Sequence, residues 1–153
     1  MSSGHEVDLA DFDRVVATNL RAALILTQAV LPGMLARGYG RVLHVASIAG
    51  KAGNAGMAAC SASKAGLIGL VKSMAKDCAT NGVTINALAP AVIRTPLAAA
   101  LPQATVDSVT ARISMGRRGT FAEAAAMAAF AVSPARGFTT GFTFDLSGGR
   151  ATY

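Results

Sequence analysis

The chain has no tryptophan, and aromatic residues make up only 5% of it. An interior without large rings must be filled by Ala, Val, Leu, Ile and Met, which suits helices packed closely on a sheet. Charge is scarce too, at 14% against 52% hydrophobic residues. That balance excludes a disordered chain, which needs the reverse. Acidic residues are the rarer sign, 8 against 14 basic, for a net charge of +6. The basic residues are nevertheless scattered, with Arg117-Arg118 the tightest pair. No basic stripe interleaved with aromatics is present, so nucleic acid is not an expected partner. An anionic small molecule, such as a phosphate-bearing cofactor, accounts for the excess at least as economically.

Long apolar runs are also missing. "AALILTQAVLPGML" is interrupted by Thr, Gln and Pro and is too short to span a bilayer. "MSSGHEVDLADFD" carries an acidic run and no apolar centre, unlike a signal peptide. There are only two cysteines, Cys60 and Cys78. Both fall on one expected helix, roughly 27 Å apart at 1.5 Å per residue, beyond disulfide reach. The expectation is a cytoplasmic protein with free thiols, no membrane partner and no metal site.

The 153 residues fit one domain. Asp8 to about Arg37 reads as a long helix, capped by Asp8 and bent or ended locally at Pro32. "RVLHVAS" reads as a strand buried on both faces. The Gly-rich loop "IAGKAGNAG" leads into a second long helix from about Met57 to Thr80, stopped at Asn81-Gly82. "VTINALA" is the next strand and "PAVIRTP" its loop, followed by a moderately polar stretch, 97–118. A third helix, "FAEAAAMAAFAVS", has Thr120 and Glu123 at capping-box spacing. "GFTFDL" is the last strand. This alternation predicts an α/β fold with a parallel sheet, right-handed crossovers and helices on both faces. Three strands are few for an open α/β sheet.

Ligands of such sheets bind at the carboxyl ends of the strands, here Ser47 and its loop, Ala89 to Pro96, and Asp145 to Gly149. Cys60 and Lys64 stand four apart on the helix leaving the first of these loops, hence on one face. A hydroxyl, a thiol and an ammonium would converge there. Taken singly, Ser47 suits a turn or cap, Cys60 a small buried apolar residue and Lys64 a solvated helix lysine.

Five motifs in order carry a resemblance: "TNLRAA", "GRVLHVASIAG", "CSASKAG", "INALAPAVIRTP" and "FTTGFTFDLSGG". They resemble the short-chain dehydrogenase/reductase family, in the branch of 3-oxoacyl-carrier-protein reductases, over the carboxy-terminal half or so of its fold. The resemblance implies the last three strands of a Rossmann-like, doubly wound parallel sheet. It implies hydride transfer between NAD or NADP and a small-molecule carbonyl or alcohol. Ser47 would bind the substrate oxygen, Lys64 the nicotinamide ribose, and Asn19 a water of the proton relay. Pro90, Ala91, Val92, Ile93 and Thr95 would hold the nicotinamide or phosphates, and 97–118 would cover the substrate. The two long helices, with small residues Ala58, Ala62, Ala65 and Gly69, would pair copies into a homo-oligomer.

Three departures from the family pattern stand out. Cys60 takes the place of the family's acid/base Tyr; its proton affinity does not disqualify it, but the thiol falls several ångströms short of a phenolic oxygen. Tyr39 belongs at the opposite end of the sheet, and Tyr153 reaches a site only by folding back or from a neighbouring subunit. Ala91 replaces a Gly, which strains the backbone if the position needs a Gly-like angle and otherwise crowds the nicotinamide. The family's Gly-rich, pyrophosphate-seating turn has no counterpart, which impairs cofactor binding and leaves "RVLHVAS" with an unpaired edge. Met1 is therefore expected to be an internal residue of a longer reading frame, and an immediate upstream in-frame stop would sink that idea. Against weak or absent activity as an oxidoreductase stands a second reading, a non-catalytic interaction subunit that keeps the helical interface.

Overall fold

The computed structural model describes residues 4–100 and 102–153, without the side chains of Leu97 and Ala99. Met1, on which the internal-start expectation rests, and Leu101 of the 97–118 stretch lie outside the described residues.

Asp8 caps the first helix by accepting a hydrogen bond from the Asp11 N–H at 2.8 Å. The helix runs as α1 (Leu9–Val16), a π-helical turn (Ala17–Arg21) and α2 (Ala22–Ala36). Pro32 lies inside α2 and does not end it. The uninterrupted stretch Leu9–Ala36 is 28 residues long and holds an 18-residue window of mean hydropathy 1.4, so by length and composition alone it could cross a membrane. The helix continues through the polar interruptions of the shorter apolar run. Its inner face packs in the protein's own core through Leu20, Ala23, Leu31 and Met34.

Three parallel strands follow, β1 (Gly40–Val45), β2 (Val83–Pro90) and β3 (Thr143–Leu146), in the order β1-β2-β3. Between them lie α3 (Ala49–Ala52), α4 (Ala58–Cys78), α5 (Pro96–Ala99), α6 (Gln103–Thr110) and α7 (Phe121–Val132). Strand β2 alternates its faces: Val83, Ile85 and Ala87 join Leu67, Val71 and Ala75 of α4 in one core, while Leu88 joins Ala131 and Phe144 in the other. Helices thus cover both faces, as the alternation of elements predicts. The capping box at Thr120 and Glu123 is present. Cys60 and Cys78 are both free.

The expectation that β1 is buried on both faces does not hold: only Gly40 of that strand is buried, and Val45 is 58% exposed. The reason is topological, since among the described residues β1 pairs with β2 alone. The outer face of α2 is likewise uncovered, with Ile25 51% and Leu26 66% exposed.

Candidate active site

A cavity of about 450 Å³ opens where the strands end, lined by Ser47, Asn54, Met57, Pro90, Ala91 and Val92 and by α6. Backbone bonds set its floor: Ala46 N–H donates to Leu88 O at 2.7 Å, Ile48 N–H to Pro90 O at 3.2 Å, and Ala91 N–H to Leu146 O at 3.0 Å. The loop after each strand is thereby held in step with the next. Ser47 Oγ accepts from Ala49 N–H at 3.1 Å, bracing the entry to the short α3 turn. Among the described residues its O–H has no acceptor, so it is free to donate into the cavity.

Lys64 reaches the end of β1, donating from Nζ to Val45 O at 2.7 Å. Burial lowers its pKa, an effect opposed by the nearby Cys60 thiol. The ammonium keeps two further N–H donors. Gly50 makes this arrangement possible: a Cβ there would lie 2.5 Å from the Lys64 carbonyl carbon. The α3 turn rests directly on the α4 backbone, so no side chain fits between them.

Not every expected residue converges. Cys60 lines a separate cavity of about 390 Å³ with Val7, Asp11 and Val15, and Met57 is the wall the two cavities share. Asn19 lies in the π-helical turn, a local distortion common at functional sites. Its amide donates to Ser63 Oγ at 3.1 Å, and Ser63 donates to Cys60 O at 3.0 Å. Thr95 Oγ1 caps α5, accepting from Ala98 N–H at 3.0 Å. Ile93 bridges to Gly119. Ala91 carries no strain, because among the described residues only glycines have positive φ. Tyr39 does precede β1, with Arg41 stacked on its ring. Tyr153 does fold back, but its hydroxyl donates to Lys51 O.

His44, Asn54, Arg112 and Arg150 were not singled out from the sequence. Arg150 directly follows the Gly148-Gly149 turn at a strand end, and His44 interrupts an apolar strand; both were available signals. Thr27 Oγ1 donates to Ala23 O at 2.7 Å, so its 3.0 Å bond with His44 Nε2 requires His44 to be the donor. Burial, and then the Lys64 charge, depress the His44 pKa. Folding therefore favours neutral His44, and its contribution to stability is present above the ordinary imidazole pKa of about 6.5 and lost as pH falls through the depressed folded value. Thermal melts from pH 7.5 down to 5 are expected to show this loss, and His44→Gln to remove that part of it. A difference between wild type and variant that stays constant with pH would contradict the assignment.

A ligand cavity at the carboxyl ends of a doubly wound parallel sheet is the hallmark of Rossmann-type proteins, and this chain has that architecture in part. Comparison with known proteins agrees. The family model described as "Enoyl-(Acyl carrier protein) reductase" matches residues 1–151. A 2-dehydro-3-deoxy-L-rhamnonate dehydrogenase (NAD(+)) of Sphingomonas sp. (strain SKA58) is 47% identical over 97% of this chain and 59% of its own length. Acetoacetyl-CoA reductase of Cupriavidus necator is 39% identical, over 92% and 57%. The 3-oxoacyl-acyl-carrier-protein reductase of Vibrio cholerae is 40% identical, over 91% and 57%. The chain belongs to the short-chain dehydrogenase/reductase family of NAD(P)-dependent oxidoreductases. It spans less than three fifths of the length of these relatives.

Proposed function

We propose that these residues form the substrate-side, carboxy-terminal part of an NAD(P)-dependent oxidoreductase acting on a carbonyl or alcohol carbon. The observation that carries this reading is the strand-end cavity into which the unpartnered Ser47 O–H faces, beside Pro90, Ala91 and Val92. Ser47 donates to the substrate oxygen, where negative charge develops. The segment 97–118 covers the substrate, with α6 as one cavity wall.

The donor set fits the nicotinamide half of the cofactor: backbone groups of Val92 at the cavity and of Ile93 next to it, and the half-buried Lys64 cation at the strand end. Bound there, NAD(P) supplies or accepts the hydride. For the pyrophosphate half, the Gly-rich loop that leads into α4 lacks the glycine order of a pyrophosphate-seating turn. Binding by the chain alone is accordingly weak, and NADP is not separated from NAD. The test is NADH and NADPH titration by fluorescence, with this chain and with a chimaera carrying the amino-terminal part of the rhamnonate dehydrogenase relative. Micromolar binding by the chimaera is expected; none by either would overturn the reading.

A second reading, a non-catalytic interaction subunit, is favoured by the separation of Cys60 from the Ser47 cavity. Both readings include a homo-oligomer and, given the free thiols, a cytoplasmic location. Ala58, Ala62, Ala65 and Gly69 are all exposed along α4. Beside them a groove of about 520 Å³ is lined by Val16, Leu20, Leu24 and Gly69. A Cβ at Gly69 meets nothing within 4 Å, so a larger side chain leaves the protomer intact. Gly69→Glu is expected to yield folded protomers where wild type is oligomeric by analytical ultracentrifugation. An unchanged assembly would remove α4 from the interface.

A further inference from the structure

Two guanidinium groups, Arg112 and Arg150, line the same cavity as Ser47. They come from segments far apart in sequence that are locked together by a short seam. Met115 N–H donates to Gly148 O at 3.0 Å, and Ser114 Oγ to Gly149 O at 2.9 Å. The approach is so close that a Cβ on Gly148 would lie 2.8 Å from Ile113 and one on Gly149 2.9 Å from Ser114. Arg112 precedes one side of this seam and Arg150 follows the other. Across the cavity mouth Arg150 is pinned by a 2.7 Å bond to Asn54 Oδ1, and Asn54 N–H is held in turn by Ser61 Oγ at 3.3 Å.

Among the described residues neither cation has a carboxylate partner. The acidic groups nearest in sequence are engaged elsewhere: Asp107 with Gln103, Asp145 with Lys51, and Glu123 with Arg117. Partial burial and the Arg112 charge both disfavour the Arg150 cation, as expected of two like charges facing a shared space. Two uncompensated cations on rigid mounts beside a cavity wall form a place for an anion, and the planar guanidinium matches a carboxylate through paired N–H donors.

We propose that Arg112 and Arg150 form an anion subsite that holds the carboxylate of a short hydroxy or keto acid while its carbinol or carbonyl oxygen lies at Ser47. The inference rests on the reading of this cavity as the substrate site, and its size suits a ligand of that class. The subsite makes the oxidoreductase one for organic acids rather than for neutral carbonyl compounds.

The experiment needs no cofactor, so its outcome is independent of NAD(P) binding. Calorimetry or ligand-observed NMR on this chain compares 3-hydroxybutanoate with 3-hydroxybutanamide, gluconate with glucitol, and inorganic phosphate. At least one acid is expected to bind about tenfold or more tightly than its neutral counterpart and than phosphate. Arg112→Gln, at an exposed position where folding is not at stake, and Arg150→Gln should each weaken acid binding about tenfold and leave the neutral ligand unchanged. No preference for either acid, or a preference that survives both substitutions, overturns the subsite. Phosphate binding more tightly than both acids assigns the pair to a phosphate group and overturns the carboxylate. Cofactor binding by the chimaera combined with no acid preference would sink this inference and leave the oxidoreductase reading standing.

Discussion

Cys60→Tyr is expected to raise NAD(P)H-dependent carbonyl reduction by about 10²-fold or more in the chimaera that carries a relative's amino-terminal part. The reasoning is one of reach. The thiol at position 60 lines the cavity beside α1, on the far side of Met57 from the Ser47 cavity. An acid/base group must come within hydrogen-bond distance of the substrate oxygen that Ser47 is proposed to hold, and even about 1 Å of misplacement can cost roughly 10²-fold. A phenol extends several ångströms beyond a thiol. Lys64, one helical turn on, already points to the end of β1. A single substitution would thus supply the long acid that the proposed site calls for. The measurement is steady-state NADPH and NADH oxidation with a panel of keto acids and neutral ketones. Turnover that is the same in the Cys60→Tyr chimaera and its unsubstituted parent, while both bind cofactor, would leave the interaction-subunit reading in possession.

Asn86→Ala is expected to cost about 2–4 kcal/mol of folding stability in urea unfolding. Asn86 sits in the middle of β2 and is 1% exposed. Its amide donates to Thr139 O at 3.0 Å, and its Oδ1 accepts from Phe142 N–H at 3.0 Å. Around it, Ile85 N–H donates to Thr140 Oγ1 at 3.1 Å and Gly141 N–H to Ile85 O at 2.8 Å. One side chain therefore stands in for a missing length of β ladder and delivers the chain into β3. Removal takes the partner from the Phe142 N–H and the Thr139 C=O and leaves a void at a fully buried position of β2. A loss below about 0.5 kcal/mol would show that the 139–142 turn is held by its backbone bonds alone. Because β3 ends at the seam that carries Arg150, the same variant should also weaken binding of acids at the cavity.

The fold was legible because periodicity reports burial. The alternation of Val83, Ile85 and Ala87 with Leu88 on the other face follows from the two-residue repeat of a strand. The Thr120–Glu123 spacing and the Asp8 cap likewise follow from local geometry. The exposure of β1 was not legible from that strand's own residues. Val42, Leu43 and Val45 have the composition of a buried strand, and only the strand order leaves them on an edge.

The candidate site divides in the same way. Ser47, Pro90, Ala91 and Val92 were placed at one cavity by a topological rule, and the structure has them there. Cys60 and Lys64 share a helix face by their spacing, and the Lys64 ammonium turns to Val45 O. Spacing on one helix says nothing, however, about which of two cavities its face opens on, and Cys60 opens on the other one. Arg112 and Arg150 are separated by α7, a 3-10 turn (Pro134–Arg136) and β3. Nothing in either local sequence brings them together.

Short-range order, from the element pattern to the caps and the candidate Ser and Lys, was determined by the sequence alone, because each depends on neighbours within a turn of helix or a pair of strands. The tertiary structure alone decided what meets across distance: the open edge of β1, the wall of Met57 between thiol and hydroxyl, and two guanidiniums at one cavity. Those juxtapositions arise from packing of whole elements, whose energetics are shared among many residues and written in no single motif.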